Sequence, residues 1–229
     1  MEPAPHAQGS FAVPLRNDGD VHALHRRQRE LTQEAETLKH QGDGHMSTGG
    51  IEGLVLAARL YILSGGHYMR AALVSMEMKA AYQAAGDDHH ARSYGDYGLR
   101  LLKQTAALVE SAVRLMKESH DARVLAVGLK FASVLHLTLF RLQHKKLLSI
   151  YDRVNATHHS DVVEAKRTDE DTRRERFVLS EMGHVLRGFE LWDRYERLGV
   201  NVLPRVSCPT VNSLDHMLAD LSMELNHLT

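Results

Sequence analysis

The sequence predicts an all-α protein of stacked antiparallel helices, and three observations carry that prediction. The five prolines are Pro3, Pro5, Pro14, Pro204 and Pro209, so residues 15 to 203 contain none. A proline costs a helix interior about 3 kcal/mol, whereas all-β chains use it freely in turns. The proline-free stretch is rich in Leu, Ala, Glu, Lys and Arg, which lose little on entering a helix. Its apolar residues recur three and four apart, the period of one helix face. About seven to nine helices are expected from this pattern.

Taken in order, the first element is His22–Gln41, a polar helix with a thin stripe of Leu24, Leu31, Ala35 and Leu38. Ile51–Leu63 carries Ile51, Leu54, Val55, Ala58 and Ile62 on one face, and Ser64-Gly65-Gly66 is expected to end it. His67–Ala85 follows, stopped at Gly86-Asp87-Asp88. Tyr97–Ser119 places Leu99, Leu102, Ala106, Val109, Val113 and Met116 in register. Asp121 is the expected N-cap of a central helix, whose window Val124–Leu142 is the most apolar of the chain. Lys130, Ser133, His136, Thr138 and Arg141 make that window too polar for a membrane span, so it is read as the centre of a soluble core.

A break is expected near Gln143–His144, with a short helix over Leu147–Asn155. A polar linker follows near residues 158–172. Phe177–Leu198 resumes the helical pattern with Val178, Met182, Val185, Phe189 and Trp192. Val211, Leu214, Leu218, Leu221, Leu225 and Leu228 then form a narrow heptad-type seam. Residues 1–20, with Pro3, Pro5, Gly9, Pro14 and Gly19, read as a disordered tail without the apolar stretch of a secretory signal. Residues 21–229 read as one helical domain. No self-similarity at a fixed period marks a regular solenoid.

Composition bounds the function. Twenty-eight Lys and Arg against 29 Asp and Glu leave a formal charge of -1, which removes any whole-chain attraction to nucleic acid or membrane. The single cysteine, Cys208, excludes a disulfide framework and a zinc ribbon. Sixteen histidines invite a metal reading, but no His-Glu-x-x-His occurs. His22 and His25 lie near the tail, and His89-His90 and His158-His159 are adjacent pairs in loop-like surroundings, where neighbouring side chains diverge. His136, inside the apolar helix, is read as a buried, hydrogen-bonded histidine rather than a base. Cys208 has no partner signature for a nucleophile. Gly49-Gly50 and Gly65-Gly66 lack the lysine and spacing of phosphate loops. The chain is therefore read as a non-enzyme without cofactor or metal.

Two features point to a partner. Leu191, Trp192, Tyr195 and Leu198 form a stripe that serves either the core or an interface. The terminal seam, with Leu214, Leu218, Leu221 and Leu225, docks on its own domain or pairs with a second copy. Arg141, Lys145 and Lys146 form a small basic group that compensates a helix end or contacts phosphate.

The order of several short segments resembles the C-terminal homology domain of the AF-four/FMR-two family, the Lilliputian-like scaffolds of transcription elongation complexes. Glu34-Ala35-Glu36-Thr37-Leu38-Lys39-His40 with Asp43 is similar to that domain's opening. Ala57-Ala58-Arg59-Leu60-Tyr61-Ile62 leads into Ser64-Gly65, and Ser93-Tyr94 with Tyr97 follows. Leu139-Phe140-Arg141-Leu142 closes a segment starting at Asp121 and is followed by Tyr151. Leu191-Trp192-Asp193 with Glu196 and Leu198 completes the set. A short charged segment, about Ser160–Thr172, stands where the family carries a long Ser/Pro/Gly-rich insertion.

The resemblance implies a tetratricopeptide-like fold and a non-enzymatic, nuclear dimerisation domain. Such a domain joins itself or a paralogue within the super elongation complex that supports RNA polymerase II elongation. Its partners would be other elongation-complex proteins, with weak nucleic-acid binding as a secondary property and no membrane. The alternative drawn from the residues alone is a monomeric helical-repeat adaptor for a peptide or RNA.

Overall fold

A computed structural model describes residues 18–116, 121–158 and 169–207, together with residues 216, 217, 219–221, 223 and 224. Among these the chain is all-helical. The long helices are α1 (Asp18–Thr48), α2 (Gly50–Ala84), α3 (Asp88–Leu115), α4 (Ala122–His158) and α5 (Asp169–Arg197). The described residues between 216 and 224 are also helical. Among the described residues that makes six helices, fewer than the seven to nine expected.

The difference comes from two expected breaks that are helix interiors. Ser64-Gly65-Gly66 lies in the middle of α2 and Gln143–His144 in the middle of α4. Gly65 is there for close packing: a Cβ on it would lie 2.8 Å from Cγ2 of Val109 on α3 and 3.2 Å from Cε1 of Phe131 on α4. The helix keeps its hydrogen bonds while its neighbours approach the bare backbone. The true turns sit elsewhere. Gly49, with φ 74°, separates α1 from α2, and Gly86, with φ 76°, follows α2. Both take the left-handed conformation that glycine adopts without steric cost.

Helix starts follow their caps. Asp121 accepts from Val124 N at 3.1 Å, the cap expected from sequence. Asp87 accepts from His90 N at 3.0 Å, so α3 begins at Asp88 and includes the segment expected to be a loop. His89 and His90 are thus helical, as is His158 at the end of α4. α1 likewise starts at Asp18, inside the expected tail, and contains His22 and His25. Residues 169–172 of the expected linker belong to α5. Residues 1–17 of the expected tail, residues 159–168 of the linker, and Cys208 lie outside the described residues.

Successive helices run antiparallel, as the cross-contacts show. Ser64 Oγ donates to Ala35 O at 2.7 Å and Tyr61 Oη to Asp43 Oδ1 at 2.6 Å, while Gln28 Nε2 reaches Ser75 Oγ at 3.3 Å, so numbers rise on α2 as they fall on α1. Ser133 Oγ donates to Gly188 O at 2.7 Å, and Lys130 Nζ to Tyr195 Oη at 3.2 Å, which sets α4 against α5 in the same sense. A Cβ on Gly188 would lie 2.5 Å from Cγ of Leu137, so here too glycine lets two helices close.

α4 is the central helix that its composition predicts. Phe131, Leu129, Leu135 and Leu139 are fully buried, packed with Ile62, Met69, Leu102 and Leu191. Over Ala122–Arg153 it is long and apolar enough to cross a membrane, yet 83% of its most apolar window is buried inside the bundle. That is the burial of a core helix.

Candidate interaction surface

The residues singled out from sequence divide sharply by burial. Leu191 and Leu221 are fully buried within the chain and Tyr195 is buried with them. These three belong to the core, so the expectation that they form an interface is corrected. Each occupies a face its own domain already covers: Leu191 and Tyr195 look inward from α5, and Leu221 packs with Met217 in the same cluster. Leu221→Ala is accordingly expected to lower stability by about 2 kcal/mol without changing the oligomeric state. Chemical denaturation and light scattering on the same sample check both halves of that expectation.

Trp192 and Leu198 are partly buried against the same core. The Trp192 indole donates to Glu196 Oε1 at 2.8 Å, one turn along its own helix. Leu214, Leu218 and Leu225 lie outside the described residues. Arg141, Lys145 and Lys146 are exposed, and Lys146 Nζ lies 4.6 Å from the centre of the Phe177 ring on α5. The third basic side chain is thereby drawn toward α5, an arrangement that covers an aromatic face.

What α5 leaves uncovered is a different stripe. Leu179 is 71% exposed and Leu186 69%, with Met182 and Phe189 about half exposed. The intervals of three, four and three residues put them along one side of the helix. The buried side is marked by Glu181, Gly188, Leu191 and Tyr195. Sequence periodicity places Met182 and Phe189 in one pattern with Val178, Val185 and Trp192. The last three are half-buried, Trp192 against the core, whereas Met182 and Phe189 lie on the open flank of the helix. Leu148 and Tyr151 are also exposed, on the distal half of α4.

One polar cluster of the molecule is turned inward. Between α3, α4 and α5, Glu110 Oε1 receives His136 Nε2 at 2.8 Å and Arg187 Nε at 2.9 Å. Arg187 Nη2 reaches Glu110 Oε2 at 3.2 Å. His136 Nδ1 and His184 Nδ1 lie 2.8 Å apart. Nε2–H of His136 goes to the carboxylate, and one proton bridges the two Nδ1 atoms, its donor set by the protonation and tautomers of the pair. The hydrogen bond from His136, then that from Arg187, hold the Glu110 carboxyl down at about 2. Burial first, and then the charge of His136, push His184 down to about 4. Glu181, fully buried, pairs with the Lys103 ammonium at 3.6 Å. His136 is the buried, hydrogen-bonded histidine expected from sequence, but its partners were missed. The available signal was the spacing of Glu181, His184 and Gly188 on the inward face of α5.

A second buried cation closes the end of the bundle. Lys130 Nζ donates to Val202 O and Leu203 O, each at 2.8 Å, and lies 4.7 Å from the Tyr195 ring centre and 5.4 Å from that of Trp192. Burial lowers its pKa to about 8.

Two open hollows run along α1. One is lined by Glu34, Thr37 and His67, the other by Gln28, Thr32 and Tyr97. Neither borders the histidine cluster, and among the described residues no three His, Cys, Asp or Glu side chains are arranged to hold a metal ion. The described residues thus leave an apolar flank of α5 open and hold Glu110, His136, His184 and Lys130 in internal contacts. Comparison with protein-family models and with curated proteins finds no match to this chain.

Proposed function

We propose that this chain is a non-enzymatic protein-association domain of a nuclear scaffold, acting in the super elongation complex that supports RNA polymerase II elongation. The observation that carries the association half of the reading is the open apolar flank of α5, Leu179, Met182, Leu186 and Phe189, on a helix whose opposite face is fully engaged with its own core. Isolated exposed leucines are ordinary; a row of large apolar side chains along one helix marks a surface that another protein covers. The nuclear and elongation half rests on the resemblance of the segments from Glu34 to Leu198 to the AF-four/FMR-two C-terminal homology domain. A tetratricopeptide-like arrangement is consistent with antiparallel neighbours joined in chain order.

Acute depletion of the protein in its own cells, followed by nascent-transcript profiling, tests that half. The expected result is polymerase density falling along gene bodies relative to promoters, restored by the wild-type chain. Unchanged density along gene bodies would overturn the elongation reading while leaving the association surface in place.

A further inference from the structure

We infer that Lys103 is a modification site: acylation of its amine by a thioester donor removes the charge that compensates the buried Glu181 and frees the distal half of α5 from α3.

The joint between α3 and α5 is made by side chains. Along their backbones the two helices stay apart, with no Cα of one within 8 Å of a Cα of the other. Two ion pairs span that gap. Lys103 Nζ stands 3.6 Å from Glu181 Oε1, and further along α3 Glu110 Oε1 accepts from Arg187 Nε at 2.9 Å.

The two pairs differ in what is left when the cation goes. Glu110 keeps His136 as a donor, at 2.8 Å. Glu181 is fully buried, and among the described residues neither of its carboxylate oxygens has a hydrogen-bond partner. Its compensation is the Lys103 charge, and a buried charge stripped of its partner is strongly destabilising. The Lys103 side chain is itself 43% exposed, so an enzyme can reach the amine. Among the described residues no other lysine joins an open amine to a buried carboxylate. Lys39 pairs with Asp43, which is solvated, and Lys130 is enclosed in the core.

Acylation turns this ammonium into a neutral amide. The free amine attacks the thioester carbonyl, and an N–C bond forms as the C–S bond breaks. Of the two protons that the ammonium gives up, one leaves on the thiol and one enters solvent. Glu181 then stands uncompensated, and it regains water when α5 parts from α3 on the N-terminal side of the Glu110–Arg187 pair.

The test uses the whole chain. Lys103→Gln, which carries a neutral amide, is expected to lower the folding equilibrium constant about 30-fold in urea titrations. Amide exchange is expected to quicken over residues 176–184 ahead of the other helices. Lys103→Arg, which keeps the charge, is expected to stay within about twofold of the wild type. Glu181→Met added to Lys103→Gln is expected to recover at least the wild-type constant, because a pair removed whole leaves no buried charge. Equal losses for Lys103→Arg and Lys103→Gln would overturn the charge switch, as would a loss that Glu181→Met does not relieve, or no loss at all.

The modification itself is read separately. Mass spectrometry of the protein isolated from its own cells, with deacylases inhibited, is expected to find acylated Lys103. An unmodified Lys103 in those samples would overturn the assignment of the site, whatever the variants show.

Discussion

Replacing Lys130 with methionine is expected to destabilise the protein by about 2 kcal/mol, read as a lowered urea midpoint with an unchanged slope. Methionine matches the length and packs well, and where a buried ion pair is replaced whole by apolar side chains the exchange is often neutral or stabilising. The case of Lys130 differs because its partners cannot be exchanged with it. They are the backbone carbonyls of Val202 and Leu203, at 2.8 Å each, and the Tyr195 hydroxyl at 3.2 Å. A hydrogen bond from a charged donor contributes about 1.5–3 kcal/mol, but neither carbonyl is left bare when the ammonium goes. Val202 O still accepts from the Tyr195 hydroxyl at 3.3 Å and Leu203 O from Val206 N at 3.1 Å, which limits the loss.

The segment that Lys130 holds is itself under strain. Leu203 has φ 53°, in the left-handed region, and stands immediately before Pro204, where an extended conformation is preferred. Such a residue persists only where its surroundings over-determine it, at a cost of about 1–3 kcal/mol. Lysine's two carbonyl bonds, the full burial of Val202, Leu203 and Val206, and the bond from Val206 N to Asp220 Oδ2 at 3.0 Å supply that constraint. Lys130→Met is therefore also expected to open residues 199–207 to proteolysis before the helices unfold. A loss below about 1 kcal/mol with no new cleavage would show that the ammonium is not what holds this segment.

The parts of the fold legible in sequence are those where one local signal has one structural meaning. The apolar run of α4 announces the core, and Asp121 announces its own cap. Gly65-Gly66 has two meanings. A pair of glycines ends a helix or thins it for a neighbour, and only the approach of Val109 and Phe131 decides between them. The same ambiguity attends the stripe of Leu191, Trp192 and Tyr195 on α5. Leu191, Trp192 and Tyr195 are the residue types that dominate binding surfaces, but they dominate cores as well. Which edge of the wide stripe on α5 is covered depends on where α4 and the C-terminal residues lie, and a single helix period does not contain that. The polar clamp was illegible for a related reason. Glu110, His136 and Arg187 come from three helices, and nothing in one helix's sequence says what faces it.

Acidification is expected to dissolve this clamp in two stages, both of which lower stability. In the upper stage His184 is the source. Its pKa falls from 6.5 in the unfolded chain to about 4 in the folded one, because burial and the charge of His136 disfavour the imidazolium. The unfolded state therefore binds the extra proton between those values, and stability present above pH 6.5 is lost as pH drops through 4. The groups facing His184 reinforce the sign: His136 and Lys103 oppose a new positive charge, and Glu110 alone favours it.

In the lower stage Glu110 takes over. Its folded pKa, about 2 against an ordinary 4.5, means that stability present above pH 4.5 is lost as pH falls to 2, when the carboxylate can no longer accept from His136 and Arg187. Each shift corresponds to about 3 kcal/mol, a large share of the net stability of a domain this size. Unfolding free energies from urea titrations at pH 7, 5 and 3 are expected to fall continuously. Glu110→Gln is expected to start from a lower value and to flatten the lower stage, because the amide has no proton to gain. Replacing His184 by phenylalanine is expected to flatten the upper stage. A wild-type stability that is level from pH 7 to 3 would mean that the three helices are held by their apolar contacts alone, with the Glu110–His136–His184 chain contributing nothing to their cohesion.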